Sequence, residues 1–442
     1  MRNLQIVCIF AVRLAGVSAS MAAIGKHRKS RRHLWIGGLT FIVSMLVCVC
    51  PCRALDIDYQ ATARIGWIMP DGKTDKVVGQ PGRWYGPTWG ADISVAFHPD
   101  WHSLQQWNNA AVGVGLSYWN MSHDLLGHAI APYIYMDIPI VKCPHFELGL
   151  RPGIGAAFMT KTYTNTIAEG HKYQDVAGAN ECIGSVSNFY FPEAIYINIP
   201  IANGWGVVAD GGWYHISNGS IRQPNSGYNM FAAAVGVRWV SRDGIGTGEE
   251  AQNETEGQTK KWRIEAAFTG GGRQVYYRDQ QTFFVGEMQI AAYWLAHPIF
   301  RLGGGVDVFY DGAYIPRETK FGKTNLAAAR PSDCWRVGIS VQPEFVVGNF
   351  TAGLHIGAYM YDPVKELEPY QEAKETASGR LVKPIFYAYD LLKAGSAGYP
   401  DGWLYTQVVL RYRLPWHIFM QGTMKSHLTK VEFMSVGLGV YW

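Results

Sequence analysis

A histidine and a serine two residues apart, His215 and Ser217, stand first among the residues able to do chemistry. They end the run Val207-Val208-Ala209-Asp210-Gly211-Gly212-Trp213-Tyr214-His215-Ile216-Ser217, which continues into Asn218-Gly219. On an extended strand, residues i and i+2 share a face. The hydroxyl can therefore turn to meet the imidazole, which is the nucleophile–base pairing of covalent catalysis. Asn229 shares parity with Phe231, Val235 and Val237, and a hairpin centred near Arg222 would set it beside His215. Asn218 and the Gly219 amide come one and two residues after the serine, where donors to an oxyanion are expected. Asn225 lies in the same connection, and Asn218-Gly219 and Asn225 to Gly227 also suit ordinary turn chemistry.

The strand that carries the pair has an apolar lower face (Val207, Ala209, Gly211, Trp213), so that face should look at lipid. Polar groups on a lipid-facing wall are costly and need a reason. The alternation recurs along the chain. Val112 to Tyr118, Leu148 to Ile154 and Phe231 to Trp239 each put large apolar side chains on one parity and small or polar ones on the other. Period two means strands with one greasy face. Segments about ten residues long, fringed by Trp and Tyr, fit a transmembrane barrel.

About sixteen strands are expected, beginning near 57, 88, 111, 130, 146, 190, 204, 228, 262, 282, 299, 335, 350, 403, 417 and 432. The long connections (70–87, 163–188, 312–334, 366–402) each follow an odd-numbered strand and so share one rim. Tight ones such as 143–145, 203–204 and 347–349 share the other, and 99–110 is a long exception there. The fold class is thus all-β, a transmembrane antiparallel barrel. One closed ring is favoured because a single closure removes every strand edge; two eight-stranded rings are the alternative. The polar segment 241–260 would divide a half at 55–240 from a half at 261–442.

Composition agrees. The chain has 442 residues, 17% charged and 14% aromatic, with 50 Gly, 16 Trp and 25 Tyr. So many aromatic and branched residues exclude disorder. A net charge of +4 gives no argument for nucleic acid. After residue 50 no apolar run approaches the roughly 18 residues of a spanning helix. A basic stretch at 26–33 followed by an apolar one at 34–50 reads as a secretory leader over residues 1–54, with Met21 as a second possible start. Cys143, Cys182 and Cys334 remain beyond it. An odd number gives no disulfide framework, though a Cys182–Cys334 bridge is open. His98 and His102 have a four-residue spacing, but Pro99 argues against a helical metal pair. Asp210, Glu147, Arg151, Arg238 and His427 read as lumen residues.

The run His215-Ile216-Ser217-Asn218-Gly219, with Gln223-Pro224-Asn225 and Gly227, resembles the motif of the lipid A 3-O-deacylase (PagL) family, outer-membrane β-barrel esterases. Tyr135 to Ile140, Ile183-Gly184-Ser185, and Ser426-His427-Leu428 through Gly437-Leu438-Gly439 resemble the exported acyloxyacyl hydrolases of Bacteroidota. The resemblance implies His215 as general base, Ser217 as nucleophile and Asn229 at the position of the family's acidic third member, where the amide is a departure. In one serine protease the equivalent acid-to-amide change costs about 10⁴ in turnover. It also implies lipid A or lipopolysaccharide as substrate, the bacterial outer membrane as location, and no metal or cofactor. The closing strand, ending at Trp442, resembles the signal read by the barrel-assembly machinery. The expected activity is a serine esterase releasing an acyl chain from an outer-leaflet lipid. The alternative is a non-catalytic barrel, a pore or structural protein with a degenerate site.

Overall fold

The computed structural model describes residues 56–71, 74–80, 82–99, 101–167, 179–241, 261–275, 281–315, 330–362, 404–427 and 430–442. The leader, the polar segment 242–260 and the whole of the 366–402 connection lie outside them. The described chain is almost entirely antiparallel strand. It begins with β1 (Asp56–Ile68), β2 (Tyr85–His98), β3 (Ala111–Asn120), β4 (His128–Lys142), β5 (Glu147–Arg151), β6 (Gly153–Met159), β7 (Ser187–Ala202), β8 (Trp205–Ser217) and β9 (Tyr228–Ser241). Each pairs with its sequence neighbour, except that β5 and β6 both lie between β4 and β7. They are one strand interrupted at Pro152, which has no N–H to give to a ladder. β9 returns to β1, from Ile57 opposite Ser241 to Ile68 opposite Met230. The ring is therefore shut.

The second half forms a ring of its own. β10 (Trp262–Arg273), β11 (Phe283–His297), β12 (Phe300–Asp311), β13 (Trp335–Val347), β14 (Phe350–Tyr361), β15 (Leu404–Leu414), β16 (Ile418–His427) and β17 (Lys430–Tyr441) make a closed barrel. β17 pairs back onto β10, Glu265 opposite Tyr441 to Gly270 opposite Val436. The antiparallel barrel class holds, and the favoured single ring is corrected to the alternative of two. Removing edges does not require one large closure, because each half has an even number of walls and closes on its own first strand.

The lumens are filled. In the first, Arg151 donates to Asp137 at 2.6 Å and to Gln60 at 3.0 Å, and Tyr133 donates to Asp92 at 2.9 Å. Arg238 pairs with Asp58, and Tyr214 donates to Asp210 at 2.6 Å. In the second, Glu344 accepts from Arg301 at 2.7 Å, from His355 and from Arg411, while Glu432 accepts from Arg336, Lys425 and His427. The residues read as lumen-facing do face inward. The outer walls carry the opposite chemistry: Ile93, Ile130, Ile195, Phe231 and Val235 on the first, Phe268, Ile290, Val341, Leu354 and Val436 on the second are all exposed. Such bands are unfavourable against water and match a hydrocarbon layer. Among the described residues no helix is long and apolar enough to cross a membrane.

The long 99–110 connection has a structural use. It contains a helical turn, His102–Gln105, and carries Trp107 to the second barrel. There Trp107 Nε1 donates to Val346 O at 3.0 Å, and its ring meets Phe345 edge-on at 5.6 Å.

Candidate active site

β8 and β9 position the site. Alternation along β8 buries Val208, Asp210, Tyr214 and Ile216 in the lumen and turns Trp213, His215 and Ser217 to the outer wall. β9 descends with His215 directly opposite Asn229, and on the other side β7 sets Phe191 opposite His215. His215 Nδ1 lies 2.8 Å from Asn229 Oδ1, and His215 Nε2 lies 2.7 Å from Ser217 Oγ. The amide oxygen only accepts, so Nδ1 carries the proton and Nε2 offers its lone pair to the hydroxyl. That is the nucleophile–base–orienter arrangement, at hydrogen-bond distance in both links.

Aromatic rings fix the imidazole in the wall. Trp213 stacks on it with centroids 5.2 Å apart and planes 21° apart, and Phe191 stands 6.1 Å away. Ser217 is only 4% exposed. The chain crosses close to the pair at Gly227, whose φ is +74°. A Cβ there would lie 2.9 Å from Ser217 Cβ and 3.1 Å from His215 Cε1.

The connection between the strands is braced by the segment before β7. Ser226 and Gly227 N–H groups both donate to Cys182 O at 3.1 Å, and Ile183 bridges to Asn225. Asn225 Oδ1 accepts from Asn218 N–H at 3.0 Å. Asn218 Nδ2 donates to Ser185 Oγ and to Arg222 O, both at 2.8 Å. Thus every N–H of Asn218 is engaged in bracing the turn. Among the described residues the N–H groups of Gly219 and Ser220 have no hydrogen-bond partner.

Sequence reasoning missed Ser185 and Cys182 as braces, although Ile183-Gly184-Ser185 was one of the family-like runs. It also missed Glu193, which shares the outward face of β7 with Phe191 and Ile195, opposite Trp213. The signal was its odd number in a strand whose even residues point inward. His98 lies apart from the site, with its Nε2 2.9 Å from Asp58 Oδ2. His427 is in the second lumen with Glu432. Cys143, Cys182 and Cys334 form no disulfide.

Comparison with known proteins gives two family matches. Residues 89–238 match the family described as lipid A 3-O-deacylase (PagL), and residues 262–373 match the acyloxyacyl hydrolase C-terminal domain. No curated protein matches the chain. Among solved structures, an engineered variant of the porin of Rh. blastica is 9% identical over 87% of this chain and 100% of that chain, with a TM-score of 0.19. A mutant ferric enterobactin receptor from Pseudomonas aeruginosa is 8% identical over 89% of this chain and 69% of that chain, with a TM-score of 0.25.

Proposed function

Because the chain belongs to the lipid A 3-O-deacylase (PagL) family of bacterial outer-membrane hydrolases, we propose that it is a serine esterase cleaving an ester-linked acyl chain from lipid A in the outer leaflet. His215 Nε2 takes the Ser217 proton as Oγ attacks the ester carbonyl. The carbonyl oxygen becomes negative and is received by backbone N–H groups of the turn after the nucleophile. His215 returns the proton to the sugar oxygen as that bond breaks, leaving an acyl-serine. Water, deprotonated by the same nitrogen, attacks the acyl-serine and releases a fatty acid, restoring Ser217. Asn229 keeps the imidazole in the tautomer that this requires.

The observation that carries the reading is the continuous relay Asn229–His215–Ser217 on a wall that is largely apolar, with Glu193 beside it. Acyl chains already lie against that wall, so the bilayer supplies proximity. In this reading residues 1–54 direct export, 55–240 carry the site, 241–260 connect the barrels through the periplasm, and 261–442 form the second barrel, with β17 the strand offered to the assembly machinery. The pore alternative is disfavoured by two lumens packed with ion pairs. The test is Ser217→Ala. Lipid A from an outer membrane holding the native chain should lose the mass of one acyl chain. The variant, equally folded, should leave lipid A intact. Unchanged lipid A with the folded native chain present would sink the proposal.

A further inference from the structure

The three relay groups belong to the first barrel, yet the loop after the nucleophile is also held by the second. Ser220 Oγ donates to Val431 O at 2.8 Å, and Gln274 N–H donates to Ser220 O at 3.0 Å. Gln223 N–H donates to Gln274 Oε1 at 3.2 Å. Met434 covers Gly219 so closely that a Cβ there would sit 2.2 Å from its Sδ. Val431 and Met434 lie on β17, and Gln274 directly follows β10, the strand with which β17 closes the ring. All these contacts therefore fall on one patch of the second barrel's outer rim. At the opposite rim, Trp107 makes the other attachment.

The loop needs such holding. Gly219 has φ +61° and Ser220 has φ +66°. A serine in the left-handed region is uncommon and persists where its surroundings over-determine it. Here the hydroxyl and the carbonyl of Ser220 are both engaged by the second barrel. The N–H groups of Gly219 and Ser220, two and three residues past the nucleophile, are the ones left to receive an oxyanion, since those of Asn218 are in use.

We infer that the second barrel is a working part of the catalytic unit: its β10–β17 rim positions the Gly219 and Ser220 N–H groups that stabilise the tetrahedral oxyanion. This rests on the serine-esterase reading above. Gln274, Met434 and the Val431 carbonyl act as positioning groups, since they touch the loop and not the ester. Loosening them misplaces donors needed in the transition state, while the acyl chain still binds the wall. Turnover should fall and KM should hold.

The full chain, folded in detergent micelles, would be assayed for fatty-acid release from purified lipid A. An alkyl boronic acid, which forms a tetrahedral adduct with the serine, gives a second readout. Gln274→Ala, Ser220→Ala and Met434→Ala should each lower kcat about 10–100-fold per folded molecule, against the 10²–10³ for losing a donor outright. KM should stay within about twofold, and boronate affinity should fall with kcat. Met434→Leu, which keeps bulk over Gly219, should restore the rate. If Ser217→Ala is inactive while all three tether variants turn over like the native chain, the inference is overturned and the esterase reading stands. A lower folded yield with unchanged kcat per folded molecule overturns it equally. Turnover persisting in Ser217→Ala removes the esterase reading and this inference with it.

Discussion

Replacing Asn229 with aspartate should speed the reaction. Asp is isosteric with Asn, so its carboxylate should keep the 2.8 Å contact to His215 Nδ1. When the imidazole takes the serine proton it becomes a cation, and the amide offers it only a dipole. A unit charge at about 4 Å contributes roughly 4 kcal/mol at an effective dielectric of 20. Burying a carboxylate in the wall opposes this by a penalty of several kcal/mol, part of which the hydrogen bond offsets. A charge-assisted hydrogen bond exceeds a neutral one by about 1–1.5 kcal/mol, which is a fair net figure. That corresponds to roughly tenfold in rate. The roughly 10⁴ lost in the protease comparison includes a wrong tautomer. Here the amide oxygen already faces Nδ1, so only the charge remains to be gained. Initial rates of fatty-acid release from lipid A micelles would measure it, with kcat expected to rise about tenfold and KM to stay fixed. A folded Asn229→Asp chain turning over no faster than the native one would refute the idea that the missing charge limits the rate.

Gly227→Ala places a methyl group against Ser217 and His215 at a backbone φ of +74°. Either the turn or the relay must move, and turnover should drop about 10²-fold with the barrel still folded, as kinetics on folded protein would show. Glu344→Gln leaves Arg301 and Arg411 without their shared carboxylate inside the second lumen. Urea unfolding from lipid vesicles should show a loss of about 3–5 kcal/mol. Planar-bilayer recording of the native chain should show no steady channel, because both lumens are occupied by side chains; stable conductance steps would contradict that packing.

Much of the fold was legible because parity is local. Once Trp213, His215 and Ser217 share a face with Val207 and Ala209, their outward direction follows from the pleat alone. The register of Asn229 followed from hairpin length, and the structure sets it opposite His215. Ring closure was not legible in the same way. Whether β9 pairs with β1 or runs on beside β10 depends on contacts between residues as distant as Ile57 and Ser241. Alternation reads the same in a ring of eight as in a ring of sixteen. The polar 241–260 segment was the available hint. The bracing contacts of Asn218 were not legible, because spacing after a nucleophile says where a donor is and not whether it is already engaged. Only the contacts with Asn225, Ser185 and Arg222 decide that. The tether to the second barrel was invisible for the same reason, although the overlong 99–110 connection marked its other end.

The outward position of the relay follows from the size of the barrel. Eight strands enclose a space that side chains fill, and here Arg64, Asp92, Tyr133, Tyr190 and Trp119 occupy it in contact with one another. A lipid with several acyl chains cannot enter. The wall is the surface it can reach, and a polar group on that wall must find its partners there too. His215 does so along the sheet, with Asn229 on one neighbouring strand and Ser217 two residues on, while Trp213 and Phe191 shield its ring. The wall has no depth, so it cannot surround an oxyanion as a cleft would. In the proposed reaction donors would come from the turn at the rim, which the segment before β7 braces on one side and the second barrel on the other. A second cylinder standing against that rim meets the need, which gives a physical reason for a deacylase wall to be accompanied by a barrel whose own lumen is closed.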